Sequence, residues 1–138
     1  MKIEHVALQV SDPVALSRWY VEHLGLTVKR AQAESPFGHF LGDDGDAVML
    51  EFYGYPNLPV PDYFRMEPLL LHVAFHVDDV AATRTRLMGA GAAPVGQVTE
   101  TAANGPAATG MLAVGTPAPD LQWTANGQSG SFAGERRG

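Results

Sequence analysis

The chain contains no cysteine among its 138 residues. This absence excludes a disulfide framework, a thiolate nucleophile and a cysteine-type zinc site. Any metal or catalytic chemistry must therefore use nitrogen and oxygen side chains as its donors.

Positive charge is also scarce, with nine Lys and Arg against fifteen Asp and Glu and a formal net charge of −6. This balance argues against nucleic acid or an anionic membrane surface as the main partner. No apolar run approaches the roughly 20 residues that cross a bilayer, and the N-terminus lacks the apolar core of a signal peptide. We therefore expect a cytoplasmic protein that does not bind or cross a membrane. The composition, 46% hydrophobic and 17% charged, is typical of one globular domain.

An alternating stretch in the middle of the chain has a near copy at its start. Residues 70–79 read Leu-Leu-His-Val-Ala-Phe-His-Val-Asp-Asp, and residues 3–12 read Ile-Glu-His-Val-Ala-Leu-Gln-Val-Ser-Asp. His5 corresponds to His72 and Asp12 to Asp79 at one constant offset. Apolar residues at alternate positions predict a strand with one covered face in each copy. The protein is therefore predicted to consist of two equivalent halves.

The first half is predicted to have a β-α-β-β-β plan. Strands are expected over 2–10, 26–30, 37–41 and 47–53, with a hairpin turn at 42–46. The helix begins at Ser11-Asp12-Pro13 and ends at Gly25, because these are the residue types that cap helices at each end. Residues 54–68 carry four prolines and are expected to be an irregular crossover.

The second half is predicted to repeat this plan. A strand over 69–77 precedes a helix from Asp78-Asp79 to about Gly89, with Gly91 as the stop. A short strand over 95–98, a loop with a weak strand over 99–110, a strand over 111–114, a turn over 115–119 and a last strand over 120–124 complete it. Residues 126–138 have little to bury and are expected to be a disordered tail.

Four predicted strands each place one polar residue on the face away from the helices: His5, Glu51, His72 and Gln122. Such nitrogen and oxygen donors suit Zn, Ni, Co, Mn or Fe(II), and an open position on the ion would polarise a carbonyl or stabilise an enediolate. Gln122 stands in the second half where Glu51 stands in the first, either as a ligand or as a partner of a metal-bound water. Alternatively, these residues bond one another beneath a binding cleft that holds no metal.

Other residues of the predicted strands are candidates for a substrate pocket. They are Gln9, His39, Met49, Tyr53 and His76. Gln9 and His76 occupy equivalent positions in the two halves, and Met49 would give the cleft an apolar patch. For His39 and Tyr53, an ordinary role in the strands is an equally good interpretation.

These pieces together resemble the vicinal oxygen chelate superfamily, which includes glyoxalase I, methylmalonyl-CoA epimerase, extradiol dioxygenases and the fosfomycin- and bleomycin-resistance proteins. The resemblance covers about residues 1–125 and rests on five short segments in order: 3–8, 19–26, 50–52, 71–75 and 119–123. It implies an α+β fold in which two tandem βαβββ modules form a U-shaped mixed sheet around a central cleft. Module one would span 1–54, the crossover 55–68 and module two 69–125. Homodimers are common in this superfamily.

The resemblance also implies a site and an activity. The ligands of one divalent metal ion map onto His5, Glu51, His72 and Gln122, with Glu51 as the catalytic residue. The expected activity is that of a glyoxalase-like lyase or isomerase, which acts on a small oxygenated metabolite by metal chelation and enediolate-type proton transfer.

Gln122 departs from the glyoxalase I pattern, which has a Glu at that position to accept the substrate proton. The epimerase-like pattern holds its Gln and Glu in the opposite halves, so this chain could be the mirror arrangement, with Glu51 as the only ligating carboxylate. The alternatives are a non-catalytic bleomycin-resistance-type protein that binds a small molecule and an Fe(II) dioxygenase-like enzyme.

Overall fold

The first half of the chain folds as its alternating pattern predicts. The computed structural model describes residues 1–67, 69–94 and 98, and the short strands 112–114, 122–125 and 128–131. The unit Met1–Asp62 contains strand β1 (His5–Gln9), helix α1 (Pro13–Leu24) and strands β2 (Thr27–Ala31), β3 (His39–Gly42) and β4 (Met49–Tyr53). The strands form one sheet in the order β1-β4-β3-β2, in which β1 is parallel to β4 and the other neighbours are antiparallel. The predicted β-α-β-β-β plan of this half is confirmed.

Helix α1 begins and ends at the predicted residues. The Asp12 side chain accepts a hydrogen bond from the backbone N–H of Ala15 at 2.9 Å, which satisfies one of the donors that a helix start leaves open. Pro13 comes next in the first turn, where its missing N–H costs little. Gly25 ends the helix in the left-handed conformation, at a φ of 73°.

One face of the sheet carries the core of this unit. Phe52 on β4 is fully buried, and its ring meets the ring of Tyr20 on α1 edge-on, with 4.8 Å between centroids. Leu8 and Val10 are also buried, whereas Val6, which is predicted on the same face, remains 45% exposed. Burial is therefore concentrated toward the Val10 end of β1, and the His5 end lies near its margin.

Strand β2 contains a bulge. Val28 pairs with Leu41 and Arg30 pairs with Phe40, so Lys29 is the extra residue on the β2 side. The Lys29 ammonium lies 3.1 Å from a carboxylate oxygen of Asp46, in the turn between β3 and β4. The bulge therefore lies beside the hairpin turn that the sequence predicts at 42–46.

The second unit, Tyr63–Gly138, contains strand β5 (Val73–Phe75), helix α2 (Val80–Gly89) and strands β6 (Leu112–Val114), β7 (Gln122–Ala125) and β8 (Gln128–Ser131). Asp79 caps α2 by accepting from the N–H of Ala82 at 2.9 Å, and Gly91 lies just beyond the helix at a φ of 94°. These ends match the predicted start and stop. Neither α1 nor α2, the two helices of the described residues, has the length and apolar character that crossing a membrane requires.

The alternation predicted around His72 appears in the exposure of the side chains. Leu71, Val73, Phe75 and Val77 are partly buried, while His72, Ala74 and His76 are exposed. Strand β5 pairs with β6 in antiparallel fashion.

Part of the segment expected to be a disordered tail, Gln128–Ser131, forms strand β8 and pairs with β7. The sequence carries a signal for this hairpin, because Asn126-Gly127 separates the paired residues Ala125 and Gln128. Asn-Gly is the dipeptide that two-residue hairpin loops prefer. The predicted turn at 115–119, the segment 99–110 and most of the predicted strand 95–98 lie outside the described residues.

Alanine substitutions at two glycines near the helix ends should change the free energy of unfolding in opposite directions. Gly25→Ala should destabilise the protein by about 1 kcal/mol, because an L-residue is strained at positive φ and no neighbouring atom would contact the new methyl group. Gly89→Ala, in the last turn of α2 and equally uncrowded, should stabilise it by up to about 1 kcal/mol. Urea unfolding measures both changes. Changes of the same sign would contradict the assigned backbone conformations.

Candidate functional site

Two predicted ligands meet on the face of the sheet opposite α1. Phe52 points into the core, so Glu51, its neighbour on β4, points to the other face. The pairing of β1 with β4 places Glu51 beside Ala7 and His5 beside Met49, so that His5 and Glu51 are diagonal neighbours. The distance from Nε2 of His5 to Oε2 of Glu51 is 3.4 Å, and the two side chains are 34% and 18% exposed.

This separation fits the geometry of two ligands on one divalent ion. Donors about 2.1 Å from a tetrahedral ion lie about 3.4 Å from each other, which is the distance between these two atoms. Within 1–67 and 69–94, no three His, Asp or Glu side chains are grouped so that they could hold an ion. His5 and Glu51 therefore supply two donors of the type that the sequence predicts.

Three further side chains surround the His5 imidazole. Its Nδ1 is bonded to the carboxylate of Glu4, and its ring meets the ring of Phe40 edge-on at 5.3 Å between centroids. The Arg30 guanidinium lies over the same Phe40 ring at 3.9 Å and donates a hydrogen bond to the other Glu4 oxygen at 2.9 Å. The hydrogen bond from His5 and the charge of Arg30 lower the pKa of Glu4. Sequence reasoning did not find Glu4, Arg30 or Phe40, because their meeting depends on the strand order.

Glu51 is also close to a short loop before β3. The loop is closed by hydrogen bonds from the N–H of Gln32 to the carbonyl of Gly38 at 2.9 Å and from the N–H of Gly38 to the side chain of Gln32 at 3.2 Å. A Cβ atom added at Gly38 would lie 3.4 Å from a carboxylate oxygen of Glu51. This is ordinary contact, whereas the same Cβ would lie only 2.9 Å from the amide oxygen of Gln32, so glycine at this position leaves room for the Gln32 side chain.

The predicted pocket residues of the first unit divide into two groups. Met49 and Tyr53 are half-buried and share the face of Glu51. Gln9 shares that face but is 8% exposed, and its carboxamide both donates to the carbonyl of Tyr55 at 2.9 Å and accepts from its N–H at 3.0 Å. Gln9 therefore holds the chain that leaves β4.

His39 lies on the other face of the sheet. It pairs with Phe52, and directly paired residues point to the same side, whereas Phe40 pairs with Glu51. The Nδ1–H of His39 donates to the carbonyl of Phe37 at 2.7 Å. His39 therefore does not share the face of Glu51, since the register of β3 on β4 gives that place to Phe40.

The remaining predicted residues belong to the second unit. His72 and His76 are both exposed and lie on one face of the stretch around β5. Gln122 is the first residue of β7, and the structure describes its backbone. Their joint action with His5 and Glu51 remains a prediction.

A β-α-β-β-β module with a histidine on its first strand and a carboxylate on its last defines the class of protein that the sequence already resembles. The sequence model of the Glyoxalase/Bleomycin resistance protein/Dioxygenase superfamily matches residues 2–116. The chain belongs to this superfamily.

Three solved structures are similar to this chain at low sequence identity. One is TnmS3, an antibiotic binding protein from Streptomyces sp. CB03234, which is 22% identical over 67% of this chain and 73% of its own, with a TM-score of 0.50. A possible glyoxalase from Bacillus cereus is 21% identical over 66% and 75% of the two chains, with a TM-score of 0.49. An integron cassette protein from the mobile metagenome of the Halifax Harbour sewage outfall is 20% identical over 64% and 70%, with a TM-score of 0.49. No curated protein is significantly similar to this chain.

The hydrogen bonds of Gln9 generate a prediction about its role. Gln9→Ala should destabilise the protein by about 1–3 kcal/mol and speed proteolysis after β4. The backbone N–H of Tyr55 loses its bond to the Gln9 side chain, and the Tyr55 carbonyl keeps only the bond from the N–H of Leu58 at 3.1 Å. The exposed Gln32→Ala, which also loses a glutamine hydrogen bond to backbone, should cost less. If Gln9→Ala were no more destabilising than Gln32→Ala, its bonds to Tyr55 would not hold this segment.

Proposed function

We propose that this protein is a divalent-metal-dependent lyase or isomerase that moves a proton next to a carbonyl of a small oxygenated metabolite. The observation that carries this proposal is the approach of the His5 imidazole to the Glu51 carboxylate on the face opposite α1. Membership of the superfamily supports a small-molecule site of the glyoxalase or bleomycin-resistance type.

The residues of the first unit have distinct roles in this proposal. His5 and Glu51 would hold the ion, which when bound supplies the Lewis acidity that polarises a substrate carbonyl. Glu51, with 18% of its side chain exposed, accepts the proton from the carbon beside that carbonyl. It then returns the proton to the carbon of the carbonyl itself. Met49, on the same strand as Glu51, and Phe40, on the neighbouring strand β3, provide apolar surface beside the carboxylate.

The assignment of His72 and Gln122 as further ligands rests on the repeat, in which His72 is the equivalent of His5. Gln122 stands where a second carboxylate would stand, so Glu51 is the one carboxylate among the four predicted ligands. The resemblance to the superfamily supports a homodimer, whose mass by light scattering would be twice the 14.7 kDa of the chain.

A second function is favoured by a specific observation. The predicted ligand set contains one carboxylate, and the fold is shared with TnmS3, an antibiotic binding protein. The Phe40 ring on the face of Glu51, and the edge-on pair of Tyr53 and Tyr55 at 5.5 Å, would suit a flat ligand. In this alternative the protein binds a small molecule without changing it.

Metal binding tests the first part of the proposal. The purified protein should bind Zn²⁺ or Ni²⁺ with a stoichiometry of one per chain, measured by titration calorimetry after removal of metal with a chelator. His5→Ala should weaken this binding by more than about 100-fold, since loss of a supporting residue alone costs 10–100-fold. His23→Ala, on α1, is the matched control and should bind as the unchanged protein does. Equal affinity of the His5→Ala and His23→Ala variants would remove His5 from the site.

Glu51→Gln separates the enzyme from the binding protein. The substitution preserves size but removes the proton acceptor, so the enzyme should lose about 10²–10⁴-fold in rate. The rate is measured as deuterium uptake beside the carbonyl in a panel of α-hydroxycarbonyl compounds, monitored by proton NMR. No uptake with the unchanged protein, together with calorimetric binding of planar aromatic antibiotics that Glu51→Gln leaves intact, would overturn the enzyme and favour the alternative.

A further inference from the structure

We propose that Glu4 is a positioning residue, which accepts the Nδ1–H of His5 and so directs the other ring nitrogen, Nε2, toward Glu51. The inference rests on the proposed function in one respect, since an Nε2 lone pair is what an ion at this place would need. Its structural basis is a closed set of four side chains: Glu4, His5, Arg30 and Phe40.

The chemistry of the two partners decides which nitrogen carries the proton. An ionised carboxylate only accepts hydrogen bonds, so the bond between Glu4 and Nδ1 of His5 requires Nδ1 to be the donor. In the neutral ring the lone pair then lies on Nε2, the atom that is 3.4 Å from Glu51. A carboxylate behind a ligating histidine is a common means of fixing its tautomer and orientation.

Glu4 is itself held from two sides. Its backbone carbonyl accepts a hydrogen bond from the N–H of Met49 at 2.9 Å, which fixes the chain just before β1 beside β4. Its second carboxylate oxygen accepts from Arg30 at 2.9 Å. Arg30 comes from β2, at the opposite edge of the sheet, and reaches across the Phe40 ring, which contacts both the guanidinium and the His5 imidazole.

Stability gives little reason for this arrangement. Glu4 and Arg30 are 58% and 52% exposed, and ion pairs between such exposed groups contribute little to folding. Glu4 lies just before β1, and its carboxylate nevertheless turns to the imidazole of the adjacent His5. The consequence of the contact is therefore the orientation of the imidazole.

The repeat provides an internal comparison. Leu71 stands before His72 where Glu4 stands before His5, so the second half has no carboxylate at the equivalent position. A second comparison lies on α1, where Glu22 precedes His23 but its carboxylate is 3.9 Å from the ring nitrogen. Glu22→Ala thus removes a carboxylate beside a histidine without a close bond.

The test reads the tautomer of His5 by long-range ¹⁵N–¹H NMR of the metal-free full chain at about pH 8.5, where an ordinary imidazole is neutral. His5 should carry its proton on Nδ1 in the unchanged protein. In Glu4→Ala it should shift toward the Nε2–H form, while Glu4→Gln, whose amide oxygen still accepts, should largely restore Nδ1–H. Glu22→Ala should leave His5 unchanged, and His72 should be unaffected in all variants.

A second measurement is the Zn²⁺ affinity of the same variants by competition calorimetry. Glu4→Ala should weaken binding by 10–100-fold, and Glu4→Gln by less, with the midpoint of thermal unfolding within about 3 °C of the unchanged protein. An unchanged His5 tautomer in Glu4→Ala would overturn the positioning role. Absence of Zn²⁺ binding by the unchanged protein would instead overturn the proposed function, because the tautomer is read without metal.

Discussion

Parallel pairing of β1 with β4 is the interaction on which the first unit depends. These strands are the first and last of the unit, and their pairing brings His5 and Glu51 to adjacent places. Parallel strands need a long connection between them, and here α1, β2 and β3 provide it. In the resulting sheet, β3 and β2 lie beyond β4. The hydrogen bonds between these strands therefore position both the core on one face and the candidate site on the other.

One face of this sheet carries the hydrophobic core, and the opposite face carries the candidate site. Phe52 and Glu51 are adjacent on β4, yet one is fully buried against Tyr20 and the other lies beside the imidazole of His5. Burial also raises the pKa of the Tyr20 hydroxyl, which keeps this group neutral within the core. The core thus holds β4 rigidly while its opposite face remains available to a ligand, as precise sites require.

Features that depend on alternation and capping are predicted well from the sequence. His5 and Glu51 fall on one face because strand side chains alternate, and Asp12, Gly25 and Asp79 mark helix ends through their own chemistry. Features that depend on the register between strands are predicted poorly. The sequence left open whether His39 is a pocket residue or an ordinary strand residue, and its pairing with Phe52 places it on the face opposite Glu51.

The cluster around His5 escapes prediction for the same reason. Arg30 is on β2 and Glu4 lies just before β1, at opposite edges of the sheet and 26 residues apart in the chain, so no local pattern connects them. Strand β8 lies in the segment expected to be disordered, although Asn126-Gly127 before it is a strong local signal for a turn. The expectation of a disordered tail gave the polar, glycine-rich composition more weight than that signal.

The bulge in β2 decides which kind of cation meets Phe40. In a regular ladder continued from Val28 and Leu41, Lys29 would pair with Phe40, and the extra residue gives that place to Arg30. A guanidinium is planar and stacks on an aromatic ring while it donates to a carboxylate, whereas an ammonium acts as a compact point charge. Lys29 is left to reach Asp46 at the hairpin turn instead. Without the bulge, Lys29 would therefore take the place of Arg30 beside Phe40, and Arg30 would pair one position further along β3.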